Sequence, residues 1–282
     1  MMWPFSRSTQ IANDSIRVRQ TAAGVRGACE DQRMRSFDEL VCEAETADVT
    51  GWSFEWLDGR ATEERPAWGY TTLLAAHLSA VDSALDIDTG GGEVVDSAKS
   101  LPTRMVVTES WPPNLALARD RLEPRGVQVV HVREGAPLPF DDQSFELVTA
   151  RHPVRPQWPE IHRVLAPGGR YFAQHVGPAS ARELIECFVG PLHDHQDARE
   201  PATEVANAEA AGLTIEDLQT ARCRMEFYDI GAVVWILRRC VWWVPDFTVE
   251  KYRVELLWLD AQIREEGSFV AHSTRHLITA RR

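Results

Sequence analysis

The stretch SALDIDTGGGEVVDSA, Ser83 to Ala98, decides the fold. An apolar run of Ala84, Leu85 and Ile87 is broken by two acids, Asp86 and Asp88. It enters three glycines, Gly90 to Gly92, and then resumes as a helix-like segment. A short strand, a glycine turn and a helix start are the parts of the first ligand-bearing crossover in a doubly wound sheet. Glycine supplies positive φ and lets backbone approach a ligand closely. A glycine cluster alone is equally well a tight structural turn, so its surroundings carry the decision.

Outward from it, strand-like runs recur at Ser83–Ile87, Arg104–Glu109, Val127–Val132, Phe145–Ala150 and Arg170–Val176. Helix-like runs lie between and after them, at about Glu93–Ser100, Pro113–Leu122, Pro159–Leu165 and Ala179–Phe188. This alternation predicts a mostly parallel sheet with helices on both faces. The tail departs from it: Leu213–Phe227 reads as a strand, Ile230–Arg239 as a helix, and Phe269–Arg282 as a closing strand. Before that last strand, Val249, Tyr252, Leu256, Leu259 and Ile263 give the 3,4 spacing of an amphipathic helix. Upstream, Trp52 and Trp56, then Leu73, Leu74, His77 and Leu78, have helical spacing. The expected organisation is a poorly ordered, arginine-rich leader over 1–33 (with Met34 as a possible start), a helical N-terminal cap over 34–80, and a ligand-binding α/β domain over 81–282.

Composition narrows the partners. The 282 residues are 44% hydrophobic and 26% charged, an ordinary globular balance. A formal charge of −12 argues against a polyanionic partner, so no nucleic acid is expected. The five cysteines are scattered without a C-x-x-C pair, which predicts neither a zinc ribbon nor a disulfide framework. His193 and His195 have a metal-like spacing but read better as a solvated loop, and no metal is expected. The N-terminus lacks a secretory h-region, and the apolar run Gly231–Val244 is interrupted by Arg238 and Arg239 and is too short to span a bilayer. A cytoplasmic, soluble protein without a membrane partner is the expectation, its oligomeric state open.

The glycine loop does not fit the dinucleotide fingerprint G-x-G-x-x-G, because Val95 stands where the third glycine belongs. An acid does end the second strand, Glu109, about 20 residues on, where a ribose diol would be held. As a carboxylate closing an apolar strand, it reads as a site group and not as a packing residue. Three segments in order then resemble the class I S-adenosylmethionine-dependent methyltransferases. LDIDTGGGE matches the first motif at Asp86, Gly90 and Gly92; LPFDDQSFELV, Leu138–Val148, resembles the block entering the fourth strand; EIHRVLAPGGRYFAQ, Glu160–Gln174, resembles the block before the fifth. The resemblance covers about Ser83 to Val176 and is closest to the small-molecule group that includes the ubiquinone and menaquinone methyltransferases.

That resemblance implies a seven-stranded, doubly wound, Rossmann-like sheet and S-adenosylmethionine as the cofactor. It implies that Glu109 holds the ribose, that Asp86 and the glycine loop face the methionine end, and that Glu134, followed by Gly135, lies near the adenine amine. Asp88 occupies the first glycine position of the motif. Aspartate is among the few residues that tolerate left-handed backbone, so Asp88 can keep the turn. Its carboxylate then either reaches the cofactor's positive charge or crowds the ligand.

Methyl transfer is an in-line displacement that needs a base only for a protonated oxygen or nitrogen acceptor. Candidates at the strand ends are Arg151 and His152, with His152 read as base or substrate contact and His175 as a packing histidine. Trp68 and Tyr70, just before the helix leading to the first strand, are candidate substrate contacts, with Trp52, Trp56, Trp242 and Trp243 as further cap aromatics. Aromatics there suggest a small, apolar or planar acceptor. The competing expectations are methylation of RNA or protein, and a non-catalytic S-adenosylmethionine-binding module, which Asp88 favours.

Overall fold

The computed structural model describes residues 35–49, 54–153, 155–192 and 199–282. The expected leader, Trp52, His193 and His195 lie outside these residues.

One eight-stranded sheet organises the chain. Five parallel strands form its body: β2 (Ser83–Ile87), β3 (Arg104–Glu109), β4 (Gln128–His131), β5 (Phe145–Arg151) and β6 (Leu165–Val176). β8 (Phe269–Arg281) pairs antiparallel with β6, β7 (Thr214–Phe227) antiparallel with β8, and β1 (Ala61–Glu63) antiparallel with β7. The order is β1-β7-β8-β6-β5-β2-β3-β4. Chain direction reverses at β2, with β3 on one side and β5 on the other, which opens a crevice at the strand C-termini. The sheet has one strand more than the seven expected. The addition is β1, which lies in the segment read as a helical cap: three residues too few to show a period, paired with a strand some 160 residues away.

The alternation of side chains sorts the core. On one face Ala84, Met105, Val107, Leu147 and Phe172 pack under α2 (Tyr70–Leu78), α3 (Glu93–Asp96) and α4 (Pro112–Leu122). On the other, Leu85, Val106, Val148 and Tyr171 pack under α5 (Trp158–Val164), and Ala208 of α7 (Pro201–Ala210) joins them. A third core stands beyond the C-terminal edge of the sheet. There β7 and β8 continue as a hairpin, pairing Arg222–Phe227 with Phe269–Thr274 after β6 has ended at Val176. That overhang is wrapped by α1 (Phe37–Thr46), α6 (Arg182–Val189), α8 (Ile230–Arg239) and α9 (Arg253–Glu266).

Sequence features that looked anomalous find their reasons here. Arg238, interrupting the apolar run of α8, donates to the carbonyls of Ala44 and Ala47, which end α1 without intrahelical partners. Trp56 sits in a one-turn 3-10 helix and stacks on Trp235 at 5.7 Å, so it is core. α9 starts at Arg253, later than its apolar spacing predicts, although Val249 is buried in the same core. Among the described residues no helix is long and apolar enough to cross a membrane.

Candidate active site

The glycine loop closes β2 against β3. Thr89 N donates to Thr108 O at 2.9 Å, and Asp88 N to Thr108 Oγ1 at 3.4 Å. Gly90 N donates to Glu109 Oε2 at 2.8 Å. Asp88 adopts φ 55°, the left-handed conformation that its place in the motif demands. Gly90 has φ 66° and open space where a Cβ would stand, whereas a Cβ on Gly92 would lie 2.7 Å from Leu122 Cδ1. The first glycine leaves the loop open to a ligand; the last lets α3 settle on α4.

Asp86 is buried and accepts from Thr149 Oγ1 at 2.5 Å. Burial raises its pKa to about 6, with the neighbouring Asp88 adding to the rise and Thr149 opposing it. Glu109, also buried, accepts three backbone N–H groups: Gly90 on Oε2, and Ser110 and Trp111 on Oε1 at 2.9 and 2.8 Å. Burial still pushes its pKa above the usual value. The expectation that Glu109 serves only a ligand therefore needs correcting, because it also ties the glycine loop to the start of α4. Glu134 and Gly135 stand exposed on the turn after β4, where Ala136 N donates to Arg133 O and Gly135 takes φ 72°. Val132 N bonds Glu109 O, which puts that turn beside the end of β3.

The blocks around Leu138 and Glu160 turn out to hold each other. Glu160 accepts from Leu138 N, while Arg163 donates to the carbonyls of Leu138 and Phe140 and pairs with Glu160 and Asp142. A Cβ on Gly169 would meet the carbonyls of Ala166 and Glu146 at 2.9 and 3.0 Å, so the second glycine of the block is a packing requirement.

Beside the glycine loop, five elements bring polar side chains together in a buried cluster on the α2 side of the sheet. Trp68 Nε1 donates to Gln174 Oε1 at 2.8 Å, and Gln174 Nε2 lies 2.8 Å from His152 Nε2. Tyr70 is buried, stacked 5.2 Å from Phe172, and donates to Ala150 O. The Arg151 guanidinium lies 6.0 Å over the Tyr70 ring. Glu63 of β1 pairs with Arg275 of β8 at 2.7 Å and accepts from Ser273 Oγ, with both charged side chains almost fully buried. His152 has φ 58° and is buried, which holds its pKa well below the usual histidine value.

This geometry argues against His152 as a base. Its Nε2 faces an amide N–H, and burial disfavours the charge a base would acquire. On the opposite face a cavity of about 20 Å³ lies among Asp88, Ala150, Pro153 and Tyr171, room for little more than one water. His175 is satisfied internally, with Nδ1 on Glu204 at 2.9 Å and Nε2 on Tyr171 Oη at 2.9 Å. His276 reaches the same Glu204 at 3.4 Å and His272 pairs with Glu183 at 2.8 Å, both structural. Gln174, Thr149, Glu63 and Arg275 were not singled out from the sequence. A lone polar residue inside YFAQHV and LVTA hints at the first two; nothing local marks the last pair.

A doubly wound sheet with an acid-anchored glycine loop at its switch point defines a nucleotide-type ligand site. Residues 85–173 match the methyltransferase domain family. A demethylmenaquinone methyltransferase of Thermus thermophilus is 39% identical over 95 residues, covering 30% of this chain and 43% of that protein. The chain thus matches less than half the length of that relative. The solved YcgJ protein of Bacillus subtilis superposes with a TM-score of 0.54 at 16% identity, over 76% of this chain and 97% of that one. A candidate methyltransferase of Bacillus halodurans gives 0.53 at 21% identity, over 75% and 96%. Residues 85–173 thus carry a methyltransferase domain, set on a Rossmann-like sheet.

Proposed function

We propose that the protein transfers a methyl group from S-adenosylmethionine to a small, largely apolar acceptor. The observation that carries this reading is the loop Asp88–Gly92, open at Gly90 and pinned to Glu109. The residues suit the cofactor: Glu109 Oε2 accepts one backbone N–H and has a lone pair left for a ribose hydroxyl, and buried Asp86 supplies a carboxylate near a cationic methionine end. Glu134 stands on the adjacent turn, on the side expected for adenine. When bound, the cofactor supplies an electrophilic methyl group on a sulfonium.

The protein's own part is positioning. The glycine loop fixes one partner, and the cluster of Trp68, Tyr70, Arg151 and His152 supplies the aromatic and polar groups for the other. The Thermus relative, by its name, acts on a demethylmenaquinone, which supports an aromatic, quinone-sized acceptor here. The domain reading that accompanies this is a cap over 34–80 contributing β1, Trp68 and Tyr70, with 81–282 contributing the other seven strands.

The test is calorimetry with S-adenosylmethionine and S-adenosylhomocysteine, followed by release of S-adenosylhomocysteine with an acceptor panel of quinols, phenols, RNA and protein. Binding in the micromolar range with turnover only on small aromatics is expected. Absence of binding removes the reading, and binding without turnover on any class makes the protein a ligand-binding module.

A further inference from the structure

The hydrogen-bond chain Trp68–Gln174–His152 fixes where the histidine proton sits. An indole N–H can only donate, so the Gln174 atom facing Trp68 is the carbonyl oxygen. The other end of Gln174 is then its NH2 group, and His152 Nε2, 2.8 Å away, must accept. A buried neutral histidine whose Nε2 accepts carries its proton on Nδ1. The surrounding groups reinforce neutrality: Arg151 on the same strand, Arg275 on β8 and His175 on β6 all disfavour an imidazolium.

The Nδ1–H so defined is buried and has no hydrogen-bond partner among the described residues. A desolvated donor left without an acceptor is destabilising. The device that creates it spans three elements, so it is not a local accident. Trp68 precedes α2, Gln174 lies on β6 and His152 directly follows β5, with its own N–H bonded to Gln174 O at 2.7 Å. His152 also holds φ 58°, an uncommon conformation for a residue other than glycine.

We infer that His152 is a hydrogen-bond donor to the methyl acceptor, and that the acceptor class is one presenting an oxygen lone pair there: a phenol, quinol or enol oxygen beside the carbon or oxygen to be methylated. Trp68 and Gln174 are positioning residues that act through the histidine tautomer. This rests on the methyl-transfer reading above. An oxygen that gains negative charge as it activates its ring is stabilised by a preorganised neutral donor with Arg151 next to it, whereas a protonated amine nitrogen is repelled.

The experiment is ¹⁵N NMR of the full chain labelled at histidine, with the His152 signals assigned by their loss in His152→Asn. The expected result is a single Nδ1–H tautomer that does not titrate between about pH 5.5 and 8. In the presence of S-adenosylhomocysteine, 2-naphthol should shift the Nδ1–H signal and bind at least roughly tenfold more tightly than naphthalene, about 1.4 kcal/mol. Gln174→Met, close in shape but without donor or acceptor, should yield mixed tautomers and erase the preference for 2-naphthol while leaving S-adenosylmethionine affinity within about twofold. An Nε2–H tautomer in the wild type, or an Nδ1 signal unmoved by 2-naphthol at its solubility limit, overturns the inference. Calorimetry with S-adenosylmethionine alone is independent of that outcome, so failure of the donor and failure of the methyl-transfer reading are told apart.

Discussion

Asp86 and Glu109 show how burial and hydrogen bonding set the behaviour of single carboxylates. The Asp86 pKa is raised in the folded protein to about 6 from an ordinary 3.8. The folded state therefore binds the proton more tightly than the unfolded chain, and ionisation costs stability as pH rises from about 4 through 6. A cationic ligand reverses the preference, because it favours the carboxylate. S-adenosylmethionine affinity should consequently rise about tenfold from pH 5 to 7 and flatten above, with proton release near pH 6 in calorimetry across buffers of different ionisation enthalpy. Asp86→Asn should flatten the profile. Glu109 makes a different prediction, since three backbone N–H groups depend on it. Glu109→Ala should raise the cofactor Kd at least about tenfold and also lower the melting temperature, because each buried N–H left unpaired costs about 1–3 kcal/mol. A variant as stable as wild type would show that the three bonds are readily replaced by water.

The glycine loop and the helix after it behave as one element. α3 has only four residues and rests on α4 through the gap left by Gly92. Gly92→Ala places a Cβ 2.7 Å from Leu122 Cδ1 and 3.0 Å from its Cγ, on a backbone with φ 82°. Leu122 is fully buried, so its side chain must shift within the core to make way. Overpacking and a strained φ together should cost about 2–4 kcal/mol, read as a lowered denaturation midpoint. Gly90→Ala meets no atom within 4 Å and pays only the cost of φ 66°, so it should be the milder change in stability and the more harmful one for ligand. Measuring both variants by denaturation and by calorimetry separates packing from access.

Across the whole molecule, the hairpin overhang of β7 and β8 decides how the cap meets the sheet. Glu63 from the cap strand and Arg275 from the closing strand are 212 residues apart and form a buried ion pair. Arg60 grips Asp229 at the start of α8 with two 2.8 Å bonds, fastening the same junction from outside. Glu63→Ala leaves Arg275 buried without this partner, and the expected destabilisation is about 3–5 kcal/mol. Replacing both residues by methionine should recover much of that loss while removing two charged groups from the cluster around His152, so stability and turnover should part company. A double variant no more stable than Glu63→Ala would locate the cost in packing.

Much of the parallel half of the sheet was legible in the residues themselves. Mostly apolar runs mark β2 and β3, whose bounds match those predicted, because a strand covered on both faces buries most of its side chains and admits a polar one only where it finds hydrogen-bond partners. The helix Ile230–Arg239 was legible in the same way, from a continuous apolar run. So was the tolerance of Asp88 for its turn, since left-handed backbone is a property of the residue type. What lay beyond reading depends on partners distant in the chain. β1 exists only because Phe227 and Met225 offer it an edge, and three residues carry no period of their own. Glu109 shows its structural duty only when Gly90 and Trp111 are brought around it. The proton position on His152 is set by an indole 84 residues upstream acting through Gln174, a chain of donors and acceptors that composition and spacing do not encode. Local preference and hydrophobic period are written in neighbouring residues; hydrogen-bond direction and burial are decided when the tertiary fold brings distant ones together.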